Sequence, residues 1–201
     1  MSGLYALKPW YSRRLSGITD LAVRRNISPD AFTAVGVLGD AAAGLFIWQG
    51  WWLPALLALA VRLGGANLDG AVARARAVSR PWGFVLNEIG DRTSDFLMFA
   101  GFAALAARVA GTWLDRDVAL VLVATAAATL PTLASLAAAG AGATRRNGGP
   151  FGKTERCAAL VVATAFTATI PWVAGLVIAG SLLTAILRLR AAHRELDGAR
   201  G

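Results

Sequence analysis

The 201-residue chain contains one cysteine, one histidine and two tyrosines, and only 16% of its residues are charged. A single cysteine, Cys157, excludes an intramolecular disulfide, and it reads as a small buried apolar side chain. The lone histidine, His193, sits in the C-terminal tail with no visible ligand set and reads as a solvated residue. A soluble domain carries roughly 25% charge and roughly 45–50% apolar residues. Here hydrophobic residues reach 56%, and the segments 118–143 and 157–187 hold no acidic or basic side chain at all. A soluble core is built from amphipathic stripes rather than from segments apolar all round, so a soluble domain is excluded. A cleavable signal peptide is not expected either, because Lys8, Arg13, Arg14, Asp20, Arg24 and Arg25 interrupt the first thirty residues.

What is present are membrane-length apolar runs, about 20 residues each at 1.5 Å rise. Charged, Gly and Pro breaks divide them into six expected spans, near 31–49, 52–76, 82–108, 117–142, 154–170 and 172–190. Residues 4–25 alternate apolar and basic positions and read as an amphipathic interfacial helix, with Trp10 and Tyr11 near the head groups. Ser28, Pro29 and Asp30 supply an N-cap, a first-turn proline and a first-turn acid. The expectation is an all-α membrane protein: one domain over 1–201, with a juxtamembrane segment 1–29, a six-helix bundle 30–190 and a tail 191–201.

The net charge of +8 raises nucleic acid as a partner, but the basic residues cluster in the gaps between spans, and no nucleic acid is expected. One side collects Lys8, Arg13, Arg14, Arg24, Arg25, Arg76, Arg80, Arg145, Arg146, Lys153, Arg156, Arg188, Arg190, Arg194 and Arg200. The other has little beyond Arg108 and Arg116. Lys and Arg accumulate on the cytoplasmic face, so both termini are expected there, in a multi-pass protein of a bacterial inner membrane. Trp48, Trp51 and Trp52 read as an aromatic belt on the far side.

Charged side chains inside spans cost about 2.5–3.5 kcal/mol each on insertion scales and are functional candidates by default. They concentrate on two spans: Arg62, Asn67, Asp69 and Arg74 on the second; Asn87, Glu88, Asp91, Arg92 and Asp95 on the third. Asn87, Asp91 and Asp95 recur every four residues and form one stripe. Arg62, Asp69 and Arg76 recur every seven and share a face. The short link around Ser79, Arg80 and Pro81 makes the two helices antiparallel neighbours, so the stripes can face each other. Gly64 and Gly65 read as helix packing, while Gly70 and Gly83, beside carboxylate or amide groups, read as places where a ligand comes close. Two carboxylates with amides, opposite arginines, suit a divalent cation bridging an anionic substrate, or a structural ion-pair network. Arg62, about 10 Å deeper than Asp69, needs Asp40 or Asp95 as partner, or reaches into a water-filled cleft.

The run Asp69-Gly70-Ala71-Val72-Ala73-Arg74, then eight residues, Gly83, three residues, Asn87, three residues and Asp91 resembles the signature of the CDP-alcohol phosphotransferases. Their pattern is Asp, two residues, Asp-Gly, two residues, Ala-Arg, eight residues, Gly, three residues, Asp, three residues, Asp. Every spacing is kept, but the first and third aspartates fall on Ala66 and Asn87. The segments Ile27-Ser28-Pro29-Asp30-Ala31-Phe32-Thr33 and Gly149-Pro150-Phe151-Gly152-Lys153-Thr154-Glu155-Arg156 also resemble family features.

The resemblance implies a six-span bundle with a cytoplasm-facing site, in which four carboxylates hold two divalent ions against the diphosphate of a CDP-linked lipid such as CDP-diacylglycerol. An acceptor alcohol attacks the lipid phosphorus and CMP leaves. Carried over by position, Asp91 resembles the catalytic base and Asp69 a metal and nucleotide ligand. Gly70, Ala73, Arg74, Gly83 and Asn87 line the CDP pocket, and Asp69, Asp91 and Asn87 form the metal set for Mg2+ or Mn2+. Ala66 has no donor and Asn87 one uncharged carbonyl oxygen, so one ion rather than two is the expectation. Asn67, Glu88 and Asp95 are candidates to compensate.

Arg145, Arg146, Lys153 and Arg156 suit either a phosphorylated acceptor or membrane topology and head-group contact. The implied activity is phosphatidyl transfer in phospholipid biosynthesis, with membrane lipids as surroundings and a homodimer as the family's expected assembly. The alternative is a non-catalytic relative that binds CDP-lipid or partners another membrane protein.

Overall fold

A computed structural model describes residues 13–78 and 80–198, all of their regular structure helical. The helices are α1 (Ser16–Arg24), α2 (Pro29–Gln49), α3 (Trp52–Ala75), α4 (Pro81–Ala110), α5 (Arg116–Gly140), α6 (Lys153–Ala165) and α7 (Ile170–Gly198). The chain separates into two compact units, with the boundary at Leu105 and Ala106 inside α4. Trp10, Tyr11, Ser79 and Arg200 lie outside the described residues.

The first unit holds α1 to α3 and most of α4. The expected cap of α2 is present: the Ser28 hydroxyl accepts the Asp30 amide at 3.3 Å, with Pro29 opening the helix and Asp30 in its first turn. The helix ends at Gly50, whose φ of 77° is left-handed, with the Gly50 amide donating to the Ile47 carbonyl and the Trp51 amide to that of Phe46. Close packing in this unit relies on missing side chains. A Cβ on Gly65 of α3 would lie 2.6 Å from the Phe32 carbonyl oxygen of α2, and one on Gly101 of α4 would lie 2.0 Å from that of Gly44. Apolar side chains gain no hydrophobic drive from one another in lipid, so backbone approach through small residues holds such helices together. The packing expected of Gly65 is present.

Only α1 remains of the expected amphipathic N-terminal segment within the described residues. It buries Ala22 and leaves Ile18, Leu21 and Val23 exposed.

In the second unit, α5 packs on α7. Pro131 lies within α5, and its carbonyl receives the Ser135 hydroxyl at 3.0 Å and an Arg188 guanidinium nitrogen at 2.7 Å. The same guanidinium donates to the Asn147 carbonyl at 2.7 Å and that of Gly148 at 3.1 Å. Glu195 accepts the Thr144 amide at 2.7 Å and Arg146 at 3.1 Å. One residue of α7 thus holds each half of the link between α5 and α6.

Five helical segments are long and apolar enough to cross a membrane: Pro29–Gln49, Trp52–Ala75, Pro81–Ala110, Arg116–Gly140 and Thr167–Gly198. The expected span over 154–170 divides. α6 has 13 residues, about 20 Å at 1.5 Å rise against a core about 30 Å thick. It stops at Phe166, where φ is −131° and ψ 77°, and a 3-10 turn over Thr167–Thr169 follows. Pro171 has no amide to continue the ladder across this point, and it is favourable just inside the start of α7.

Candidate functional site

Three helices of the first unit line a small, partly open cavity. Thr33, Gly36 and Val37 line it from α2, Arg62, Ala66 and Asp69 from α3, and Asn87, Gly90, Asp91 and Ser94 from α4. All four positions of the aspartate pattern therefore meet at one place. The periods explain this: 66 and 69 are three apart on α3, and 87 and 91 four apart on α4, so each pair shares a helix face.

Asp69 is held in position from a neighbouring helix: the Thr33 hydroxyl donates to its Oδ2 at 3.2 Å. Its other oxygen accepts the amide of Gly70. Asp91 is half-buried, and its Oδ1 accepts an Arg62 guanidinium nitrogen at 3.4 Å. Arg62 also donates through Nε to Asp40 Oδ2 at 3.0 Å, with the side chains 5% and 0% exposed. Arg62 therefore finds one of its two expected partners. Asp95 pairs with Arg92, one turn back, at 3.0 Å.

The remaining sequence candidates fall around this centre. Arg76 shares the heptad face of Arg62 and Asp69 but ends beyond the cavity, donating to the Ile27 carbonyl at 2.6 Å and to Asn26. Asn67 donates to the Leu63 carbonyl of its own helix at 2.7 Å. Asn67, Glu88 and Asp95 are not among the residues lining the cavity. A Cβ on Gly70 would meet the Arg74 guanidinium at 3.1 Å, and one on Gly83 would meet Cγ of Arg80 at 3.4 Å. Among the described residues, neither Cβ position meets another helix's backbone within 4 Å. Arg74 is exposed.

In the second unit Arg156 is 3% exposed, Lys153 is half-buried, and Arg145 is half-buried beside exposed Arg146. The sequence reading missed Thr33 as a partner of Asp69, 36 residues away, and Arg188 and Glu195 as the two clamps of the 144–148 segment. No local signal links such distant pairs.

Among the described residues no group of three or more His, Cys, Asp or Glu gathers as a metal centre. The oxygen donors lining the cavity are Asp69, Asp91 and the Asn87 amide, with the Thr33 and Ser94 hydroxyls. Two carboxylates and a carbonyl match the incomplete shell from which a hard divalent cation is held when phosphate oxygens complete it.

This is an integral membrane protein with a carboxylate and arginine cavity among its helices. No protein-family model matches the chain. It is 29% identical over 99 residues to a phosphatidylinositol phosphate synthase of Cutibacterium acnes, covering 46% of this chain and 45% of the relative. It is 28% identical over 97 residues to one of Streptomyces avermitilis, covering 48% and 40%. The chain thus spans less than half the length of the curated relatives it matches. In fold it is similar to the crystal structure of Mycobacterium tuberculosis phosphatidylinositol phosphate synthase with CDP-DAG bound, at TM-score 0.74 and 23% identity over 90% of this chain and 94% of that one. The same enzyme in complex with manganese and citrate gives 0.72 at 23% identity, covering 88% and 87%. The residues lining the cavity include the positions at which the chain resembles the CDP-alcohol phosphotransferase signature, with Ala66 and Asn87 where that pattern has its first and third aspartates.

Proposed function

We propose that the chain transfers a phosphatidyl group from a CDP-linked lipid to a polar acceptor alcohol and releases CMP. The observation that carries this reading is the convergence of Ala66, Asp69, Asn87 and Asp91 on one cavity. In the reaction the acceptor hydroxyl oxygen forms a bond to the lipid phosphorus, the bond from that phosphorus to the CMP oxygen breaks, and the acceptor proton passes to Asp91. Gly70, Ala73, Arg74, Gly83 and Asn87 line the CDP pocket, where the two glycines leave room for a nucleotide beside the helices. Asp69, Asp91 and the Asn87 carbonyl are the residues that would hold one Mg2+ or Mn2+, which would neutralise diphosphate charge. Thr33 fixes the Asp69 carboxylate for that task.

The acceptor is a phosphorylated polyol, inositol phosphate first among candidates because both curated relatives are named for that product. Arg145, Arg146, Lys153 and Arg156 are its proposed ligands. We read the chain as one transmembrane domain with six spans, α6 and the turn after it together forming the fifth. The N-terminal segment lies at the interface, and the termini and the site face the cytoplasm of a bacterial inner membrane. The homodimer expected of the family belongs to the same reading.

A second reading, a non-catalytic binder of CDP-lipid, is favoured by the guanidinium on Asp91. Purified protein in proteoliposomes with CDP-diacylglycerol, a divalent cation and inositol phosphate separates the two. The transferase reading expects CMP release. No release from the parent chain, with release from the double variant Ala66→Asp, Asn87→Asp, would overturn it and identify a decayed site.

A further inference from the structure

Arg62 is a buried guanidinium at the wall of the cavity, and it stands there because two backbones come close. A Cβ on Gly39 of α2 would lie 2.9 Å from the Arg62 amide nitrogen, so α2 and α3 meet where Asp40, the next residue, reaches the guanidinium. The pair at 3.0 Å is almost wholly withdrawn from solvent. A buried ion pair is weak as a source of stability, and Arg62 spends only part of its donor fork on Asp40. It extends Nη2 to Asp91 Oδ1 at 3.4 Å. The positions at which the aspartate pattern places carboxylates, and this chain carries Ala66 and Asn87, line the same cavity. Positive charge is thus resident where negative charge is missing. Asp40, Asp69 and Asp91 with Arg62 leave a net charge of two negative, which one divalent cation balances.

We propose that Arg62 is the resident cation of this site, a positioning residue that anchors Asp91 and takes the share of positive charge a second metal ion would bring. The inference rests on the transferase reading for the identity of the cavity, but not for its test. Arg62 does not touch the reacting atoms; it sets the orientation of Asp91 and the number of ions the carboxylates accept. Arginine suits the role because its planar fork serves two carboxylates at once and stays charged at any working pH.

The test is a Mn2+ titration of the purified full chain in detergent, followed through the electron paramagnetic resonance of the free ion. The wild-type protein should bind one Mn2+ per chain, a count that needs no variant. The double variant Arg62→Gln, Asp40→Asn removes both members of the buried pair and keeps the net charge. Its thermal unfolding is checked first, and it should bind Mn2+ about tenfold more tightly, because Asp91 loses the adjacent guanidinium. Arg62→Lys should keep the count at one. Two ions per wild-type chain, no ion, or an unchanged affinity in a folded double variant would each overturn the assignment of Arg62. A count of one with no CMP release in any condition would instead overturn the transferase reading and leave Arg62 as inferred.

Discussion

The Thr33 hydroxyl on α2 donates to Asp69 Oδ2 on α3 at 3.2 Å, so a carboxylate of the site is aimed by a helix other than its own. A single neutral donor to a carboxylate contributes about 1.5–3 kcal/mol, enough to fix one rotamer. Thr33→Val keeps shape and removes the donor. Mn2+ should bind roughly tenfold more weakly to this variant, with the unfolding temperature little changed. Thr33→Ser should restore binding, and equal Mn2+ affinity in Thr33→Val and wild type would remove Thr33 from the site.

Arg62 and Asp40 form a buried pair, and removing one partner of such a pair costs about 3–5 kcal/mol because the other charge is left buried. Arg62→Leu alone should therefore lower the unfolding temperature in detergent markedly. Arg62→Leu with Asp40→Leu should recover most of the loss. Equal unfolding temperatures for Arg62→Leu and wild type would mean that water reaches Asp40.

Topology has its own check. Cys157, the one native thiol, is 3% exposed and gives little background. In intact cells a membrane-impermeant thiol reagent should miss cysteines placed in 145–153 and label those placed beside Gly111. The reverse pattern would invert the proposed orientation and overturn the proposed cytoplasmic placement of the site.

Much of the fold was legible because helix breaks coincide with residues that force them. Ser28 and Pro29 open α2, Gly50 closes it, and Pro81 opens α4. A break between the fifth and sixth expected spans was legible near Pro171, but it falls at Phe166, because 157–187 holds no charged side chain to fix its place. At the site, spacing alone brought Asp69, Asn87 and Asp91 together, because three- and four-residue intervals fix a helix face. Spacing offered Asp95 on α4 as a candidate partner of Arg62 and did not point to Asp91, which the guanidinium reaches at 3.4 Å. Both lie on the same stripe of α4, and Arg92, one turn before Asp95 on that helix, takes Asp95. Thr33 was out of reach for a different reason: its partner lies 36 residues on, and only the packing of α2 on α3 joins them.

In the proposed phosphatidyl transfer, Asp91 removes the acceptor's proton. Asp91→Asn keeps the shape of the side chain and abolishes its basicity, and a positioned base contributes typically 10²–10⁴-fold. The measurement is the rate of CMP release from CDP-diacylglycerol by purified Asp91→Asn and wild-type protein in the same proteoliposomes, with thermal unfolding run beside it. The expected result is a loss of at least about a hundredfold with the fold intact. A rate within a few-fold of wild type would contradict the account.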